Sequence, residues 1–543
     1  MLDVIIFGGR LVDGSGNPWY KADVGIEGGK IVEVGNLAQE RAEHKIDAKG
    51  LIVSPGFIDM HSHTDITLPF NPYVESTIMQ GITTVVVGNC GISLAPVNLE
   101  RKGMLKGYLS QFLPPSLSVE IEWEKFREYL EWEKGRGSSC NVAHLVGHGT
   151  VRIAAMGMEA REPSEGEMES MKMFVEEAMD AGAFGLSSGL IYPPGIYCDT
   201  WELVELAKVV SKHGGIYASH IRGEGKTLIE AVREAIKVGE EAGVPVQISH
   251  HKAAGKPYWG GTLKTLSMME EARDKGVDVA CDVYPYTAGM TSLITLLPPW
   301  AHEGGLEKLL DRLRDVGERE EIKKDIVTGV GEWESFVKEY GWENIYVSSV
   351  KTEKNRCFEG KNFREIRELS GAPDEYTALF DLILEEEGCV TMVVFQMSED
   401  DVRRVISSHL SMISTDSWSV SPKGELGRGK PHPRFYGTYP RVFKKYVVEE
   451  KLFPLEEAVR KMTSFPAQRL GLRDRGMVRE GFWADIVVFD LKKMVDRATY
   501  DNPHQYPEGI VYVLVNGEVV VERGVHNNIL PGKVLVRHEN GVR

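Results

Sequence analysis

The stretch GFIDMHSHTD, residues 56–65, carries an apolar β-type run straight into two histidines spaced two apart. Side chains alternate faces along an extended chain, so His61 and His63 share one face at the strand's end. Similar apolar runs end near residues 83–90, 141–147, 183–190, 215–220, 244–250, 277–284 and 410–416. Amphipathic helical patterns fill several of the gaps, at 164–181, 200–213, 226–242 and 262–275. Strand and helix alternating about eight times over predict an α/β chain folded as a parallel (β/α)8 TIM-like barrel.

Both chain ends have another rhythm. Residues 1–54 alternate short β-type runs with Gly-rich turns, and the C-terminal end does the same, with Asn516-Gly517 between its last two runs. Asn-Gly in that setting is a strong hairpin signal. We expect residues 1–54 and 475–543 to form one small β-sandwich domain, with the barrel over 55–474. The gap after the run at 277–284 is too long for a single crossover and contains a charged helical run at 307–325, which marks an inserted lobe at 288–350.

The 543 residues include 42% hydrophobic and 26% charged side chains, an ordinary well-folded composition. A formal net charge of −17 argues against nucleic acid or an anionic membrane as the main partner, though an acidic protein can still hold a basic pocket for a small anionic substrate. Six cysteines at irregular spacings do not make a disulfide framework. The opening MLDVIIFGGRLVDGSG lacks the features of a secretory signal, and no run approaches the roughly 18 apolar residues of a membrane helix. A reduced, cytoplasmic protein is expected; a homo-oligomer is compatible with the sequence.

His220 and His250 close two further apolar strands, and Asp416 closes the last. One histidine capping a buried strand is more often a satisfied core residue than a ligand. Four histidines and a carboxylate at the same end of several barrel strands make that reading hard to hold, because those ends face the barrel mouth. Neutral imidazoles with a carboxylate favour zinc or a similar divalent ion, and Asp416 is placed to move a proton. Cys90, at the end of VVVGNCGIS (85–93), reads by itself as a small buried hydrophobe.

Several longer motifs make the chain similar to a known family. FIDMHSHTD, VVVGNCGIS, GHGTVR (147–152), GLSSGLIYPPG (185–195), ASHIRGEG (218–225), QISHHKAAG (247–255), DVYPY (282–286) and GKPHPRFYGTYPR (429–441) resemble the N-acyl-D-amino-acid deacylases, or D-aminoacylases, of the amidohydrolase superfamily. The HxH alone marks the superfamily; the cysteine and HPRFYGT motifs are more specific. The resemblance implies a tight Zn2+ site at Cys90, His220 and His250, and a second, weaker one from His61, His63 and Asp416. It makes Asp416 the general acid/base and Arg434 the grip on the substrate's α-carboxylate, a task suited to a planar guanidinium. Lys252, Tyr192, Tyr286 and Ser292 match residues lining the same pocket. Where relatives typically have glycine after the last-strand acid, this chain has Ser417-Trp418, a change expected to reshape the pocket and not the metal chemistry.

The activity implied is zinc-dependent hydrolysis of linear N-acyl-D-amino acids. One alternative is a cyclic-amide hydrolase of the hydantoinase or dihydroorotase kind, many of which bridge two metals with a modified fourth-strand lysine; AFGLSSGLIY (183–192) has none. Dipeptides containing a D-residue are another, and a metal-free scaffold is the reading from a different class. Among the remaining histidines, His251 must face away from His250, His144 and His148 lie on or just past the third strand, and His409 and His432 have no derivable role.

Overall fold

The computed structural model describes residues 1–537. Eight parallel strands follow the chain around a barrel: Phe57–Asp59, Ile82–Val87, Asn141–Gly147, Gly185–Gly189, Ile216–His220, Val246–Ile248, Val279–Val283 and Ser411–Ile413. Each pairs with the next in chain order, and a parallel bridge between Ser62 and Ser417 joins the last to the first. Two backbone hydrogen bonds hold that seam, from His63 N to Ser417 O at 2.9 Å and from Asp416 N to His61 O at 2.8 Å. All eight strands are buried along their length, as befits a parallel sheet covered by helices, which explains their near-continuous apolar sequence.

Local sequence sets the helix ends. Ser164 and Glu167 form a reciprocal capping box at the start of Glu165–Ala181, and Gly182 ends that helix in the left-handed region. Asp199 caps Thr200–Lys212 by accepting from Glu202 N, and Gly243 stops Leu228–Ala242. The charged run expected at 307–325 is two helices, Leu306–Arg314 and Val316–Thr328, because Asp315 leaves the helical conformation and caps the second.

A four-stranded sheet from the first 47 residues packs against a seven-stranded one built from both chain ends. Val4, Ile26 and Ile46 of the first share a core with Leu11, Ile486 and Leu514 of the second. Asn516 and Gly517 both have positive φ, as the tight hairpin between Ile510–Val515 and Glu518–Glu522 requires. Near the C-terminus, Val534–Leu535 turns back and pairs with the third barrel strand.

After the seventh barrel strand the chain builds a separate antiparallel sheet, with Thr391–Phe395 between Ala288–Ser292 and Ile345–Ser349. Its core joins Leu293, Leu309, Phe363, Leu379 and Met392. The lobe expected at 288–350 is therefore drawn too short, since its central strand lies at 391–395 and is held by pairing that no local pattern reveals. No helix among the described residues is long and apolar enough to cross a membrane.

Candidate active site

Cys90, His250 and Asp416 follow the second, sixth and eighth barrel strands, and all three have positive φ, at 53°, 36° and 50°. Non-glycine residues there cost of order 1–3 kcal/mol each and concentrate at functional sites. In VVVGNCGIS the turn also needs Gly88: a Cβ there would stand 2.0 Å from Leu145 O. Cys90 thus leaves its strand where the backbone bends into the mouth.

The expected ligands converge. Cys90 Sγ lies 3.6 Å from His220 Nδ1 and 3.6 Å from His250 Nε2, and those two nitrogens are 3.0 Å apart. Tetrahedral zinc with Zn–S of about 2.3 Å and Zn–N of about 2.05 Å places S and N roughly 3.6 Å apart and two N roughly 3.3 Å apart. The donor set fits the ion. His61 Nε2 is 3.2 Å from the same sulfur and 3.5 Å from Asp416 Oδ1, which is 3.4 Å from His63 Nε2. The second group of donors therefore adjoins the first.

Burial pulls the imidazoles of His61, His220 and His250 well below the ordinary histidine pKa, keeping them neutral as metal ligands must be. Burial, then the Asp416 charge, pushes the Cys90 thiol well up, so a thiolate there calls for a cation. Asp416 goes the other way: burial raises its pKa, but the Arg434 guanidinium overcomes it and holds the carboxyl well below the usual range.

Two carboxylates that sequence reading missed face these histidines from behind. Glu224 Oε1 is 3.2 Å from His250 Nδ1 and 3.7 Å from His220 Nε2, the ring nitrogens turned away from Cys90. Asp282 Oδ1 lies 3.5 Å from His61 Nδ1 and accepts a hydrogen bond from the backbone N–H of His250. Carboxylates behind ligating imidazoles select the tautomer whose inner nitrogen is free to bind. The signal for Glu224 was its place four residues after His220 in ASHIRGEG; Asp282 stood in DVYPY.

The pocket above the cluster is lined by Tyr192, Lys252, Ser292 and Arg434. Arg434 Nη1 is 3.0 Å from Asp416 Oδ2, yet Nη1 and Nε have no hydrogen-bond partner among the described residues. That contact is ionic and poorly directed, leaving N–H groups for a second carboxylate. Ser292 Oγ is likewise buried without a partner. His432 fixes the start of the helix Arg434–Arg441 by accepting from Arg434 N at 3.0 Å. Lys252 is already engaged, donating to Glu224 and lying 2.7 Å from His250 Nδ1. Since metal binding through Nε2 needs a hydrogen on Nδ1, its proton goes to Glu224 and not to the ring.

Tyr286 lies outside the pocket lining, under the Arg441 guanidinium at 4.8 Å and against the His432 ring. Tyr284 takes the inner place, its ring 4.7 Å below Arg434. Trp418 also lines the pocket and packs on Phe435. His148 pairs with Glu202, His144 with Glu133 and His251 with Thr265, all away from the cluster. His409 is exposed beside Glu270.

A model of the amidohydrolase family matches residues 45–521. The chain is 35% identical over 538 residues to the D-aminoacylase of Alcaligenes xylosoxydans xylosoxydans, covering 98% of each chain. It is 36% identical over 537 residues to that organism's N-acyl-D-glutamate deacylase, covering 99% of this chain and 97% of the relative. Among solved structures it resembles the N-acyl-D-glutamate deacylase of Bordetella bronchiseptica, bound to zinc and a phosphonate mimic of the tetrahedral intermediate, with TM-score 0.81 and 33% identity over 98% of this chain and 99% of the other.

Proposed function

The chain belongs to the amidohydrolase family, and from that premise we propose that it hydrolyses the amide of N-acyl-D-amino acids, releasing a carboxylate and the free D-amino acid. The observation that carries this reading is the pairing of a zinc-competent donor set with a buried guanidinium that has unfilled N–H groups. Cys90, His220 and His250 would hold the tight ion, with His61, His63 and Asp416 forming the second, weaker position. When bound, zinc supplies a Lewis acid that lowers the pKa of water toward about 7 and stabilises negative charge on a carbonyl oxygen.

The protein's own groups do the rest. Arg434 receives the α-carboxylate in a planar, two-point contact, with Ser292 Oγ as a further donor. An incoming carboxylate competes with Asp416 for the guanidinium, 3.0 Å away, and so frees the acid to work as a base. Asp416 takes a proton from the attacking water and returns it to the departing nitrogen. Glu224, held by Lys252, keeps His220 and His250 in the binding tautomer.

The walls include Ile66, Ile92, Phe112, Met290 and Trp418, and the cations lining the pocket, Arg434 and Lys252, already face Asp416 and Glu224. This supports neutral D side chains over D-glutamate or D-aspartate, which need a further cation. Preference for the D-hand rests on the family likeness. A panel of N-acetyl-D-amino acids against their L-forms and cyclic amides, with zinc-loaded protein, tests the reading. Turnover of D-leucine, D-methionine and D-phenylalanine derivatives is expected; opening of cyclic amides alone would sink it.

A further inference from the structure

A second cavity, of about 380 Å³, adjoins the catalytic pocket and shares Ile191, Glu224 and Phe336 with it. Its own walls are Ile196 and Tyr197 from the barrel side and Val330, Trp333 and Tyr340 from the lobe. Its charged groups are spoken for. Arg222 is held by Glu234 through Nε at 3.0 Å and Nη2 at 2.9 Å. Glu334 accepts from the backbone N–H of Gly225 at 3.0 Å and of Thr227 at 2.7 Å, which ties the lobe to the loop after the fifth strand. Glu332 is the exception, and it is exposed. The space therefore suits a neutral, apolar occupant and disfavours an anion.

Position in the barrel identifies that occupant. Ile191 follows the fourth strand and Arg222 and Glu224 the fifth, while Asp416 and Arg434 follow the eighth. In a ring ordered one to eight and closed between eight and one, strands four and five stand across the mouth from Arg434. A trans amide sends its two carbon substituents in opposite directions. With the α-carboxylate on Arg434 and the carbonyl over the donor cluster, the acyl chain leaves toward strands four and five.

We propose that this second cavity is an acyl-chain subsite, which makes the protein a deacylase of long or aromatic N-acyl groups. The inference rests on the hydrolase reading above. Each methylene buried there raises kcat/KM by at most about fourfold.

The zinc-loaded protein is assayed on N-acetyl-, N-octanoyl- and N-succinyl-D-leucine, beside Val330→Trp, which fills the second cavity from an exposed loop. N-octanoyl-D-leucine is expected to exceed the acetyl substrate by about tenfold or more in kcat/KM, and the anionic succinyl group to fall below it. Val330→Trp should lower the octanoyl value about tenfold and leave the acetyl value within about twofold, which also reports that the variant folds. If acetyl is cleaved at least as well as octanoyl, or if the variant slows both alike, the subsite is wrong and the hydrolase reading stands. If wild-type protein cleaves none of the three, the hydrolase reading falls and takes the subsite with it.

Discussion

Arg434 Nη1 lies 3.0 Å from Asp416 Oδ2, with Arg434 buried and both lining the pocket at the barrel mouth. On the proposed reading the guanidinium answers to two carboxylates, one built in and one arriving with the substrate. Arg434→Met should lower kcat/KM on N-acetyl-D-leucine by about 100-fold, the scale of leaving a buried charge without its partner. It should also erase the preference for the acid over the matching carboxamide, N-acetyl-D-leucinamide. A variant that still discriminates between them would place the carboxylate elsewhere.

Asp416 contacts both HxH histidines, so its removal must be separated from metal loss. Asp416→Asn keeps the shape and should lower kcat by about 10²–10⁴-fold, the usual worth of a positioned acid/base. Metal analysis of the same preparation should still find the tight zinc if, as proposed, Cys90, His220 and His250 hold it without Asp416. Near-normal turnover would remove Asp416 from proton transfer.

Zinc affinity should depend on pH through one residue. Burial keeps His61, His220 and His250 neutral, so they release no protons on binding, whereas the Cys90 thiol, pushed up by burial, must release one. Affinity then rises with pH, about tenfold per unit between about pH 6 and 8. Competition with a chromophoric chelator across that range measures the slope. Cys90→Ala should bind zinc far more weakly and with little slope; a variant that keeps its zinc returns Cys90 to the core.

Glu224 lines both cavities, and its carboxylate stands behind the imidazoles of His220 and His250. Glu224→Gln should weaken zinc binding by about 10–100-fold. Excess zinc in the assay should then restore much of kcat. Activity lost without recovery, at full zinc occupancy, would make Glu224 part of the chemistry instead.

Trp418 belongs to the Ser417-Trp418 pair that departs from the expected glycine, and it lines the pocket beside Phe435. Trp418→Gly should widen that wall and raise kcat/KM for N-acetyl-D-tryptophan relative to N-acetyl-D-alanine by about tenfold. Zinc content should not change. An unaltered ratio would mean the side chain points to another wall.

The ends of the barrel strands were legible because burial on both faces writes a continuous apolar run, and the residue that breaks it stands at the mouth. His61, His63, His220, His250 and Asp416 could be found that way. Cys90 could not be told from a core residue by spacing, since a buried cysteine is chemically at home in a strand; motif likeness singled it out. Tyr284 and Tyr286 look equivalent in DVYPY, but the seventh strand ends at Val283, and beyond it alternation no longer predicts facing. Lys252 is marked by its motif as a pocket-lining residue, but its pairing with Glu224 joins the loops after two different strands and is written in neither.

Local patterning, then, was enough for the barrel, its order and most of the residues at its rim, because each strand and helix carries its own period and its own stops. Which groups stand behind the histidines, how Arg434 meets Asp416, and where the lobe ends depend on contacts such as Asp416 to Arg434 and Met290 to Val393. Closing the ring brings strand eight beside strand one and sets strands four and five across from them. Distance and direction between such groups arise only when the chain folds back on itself, and no short window of sequence contains them.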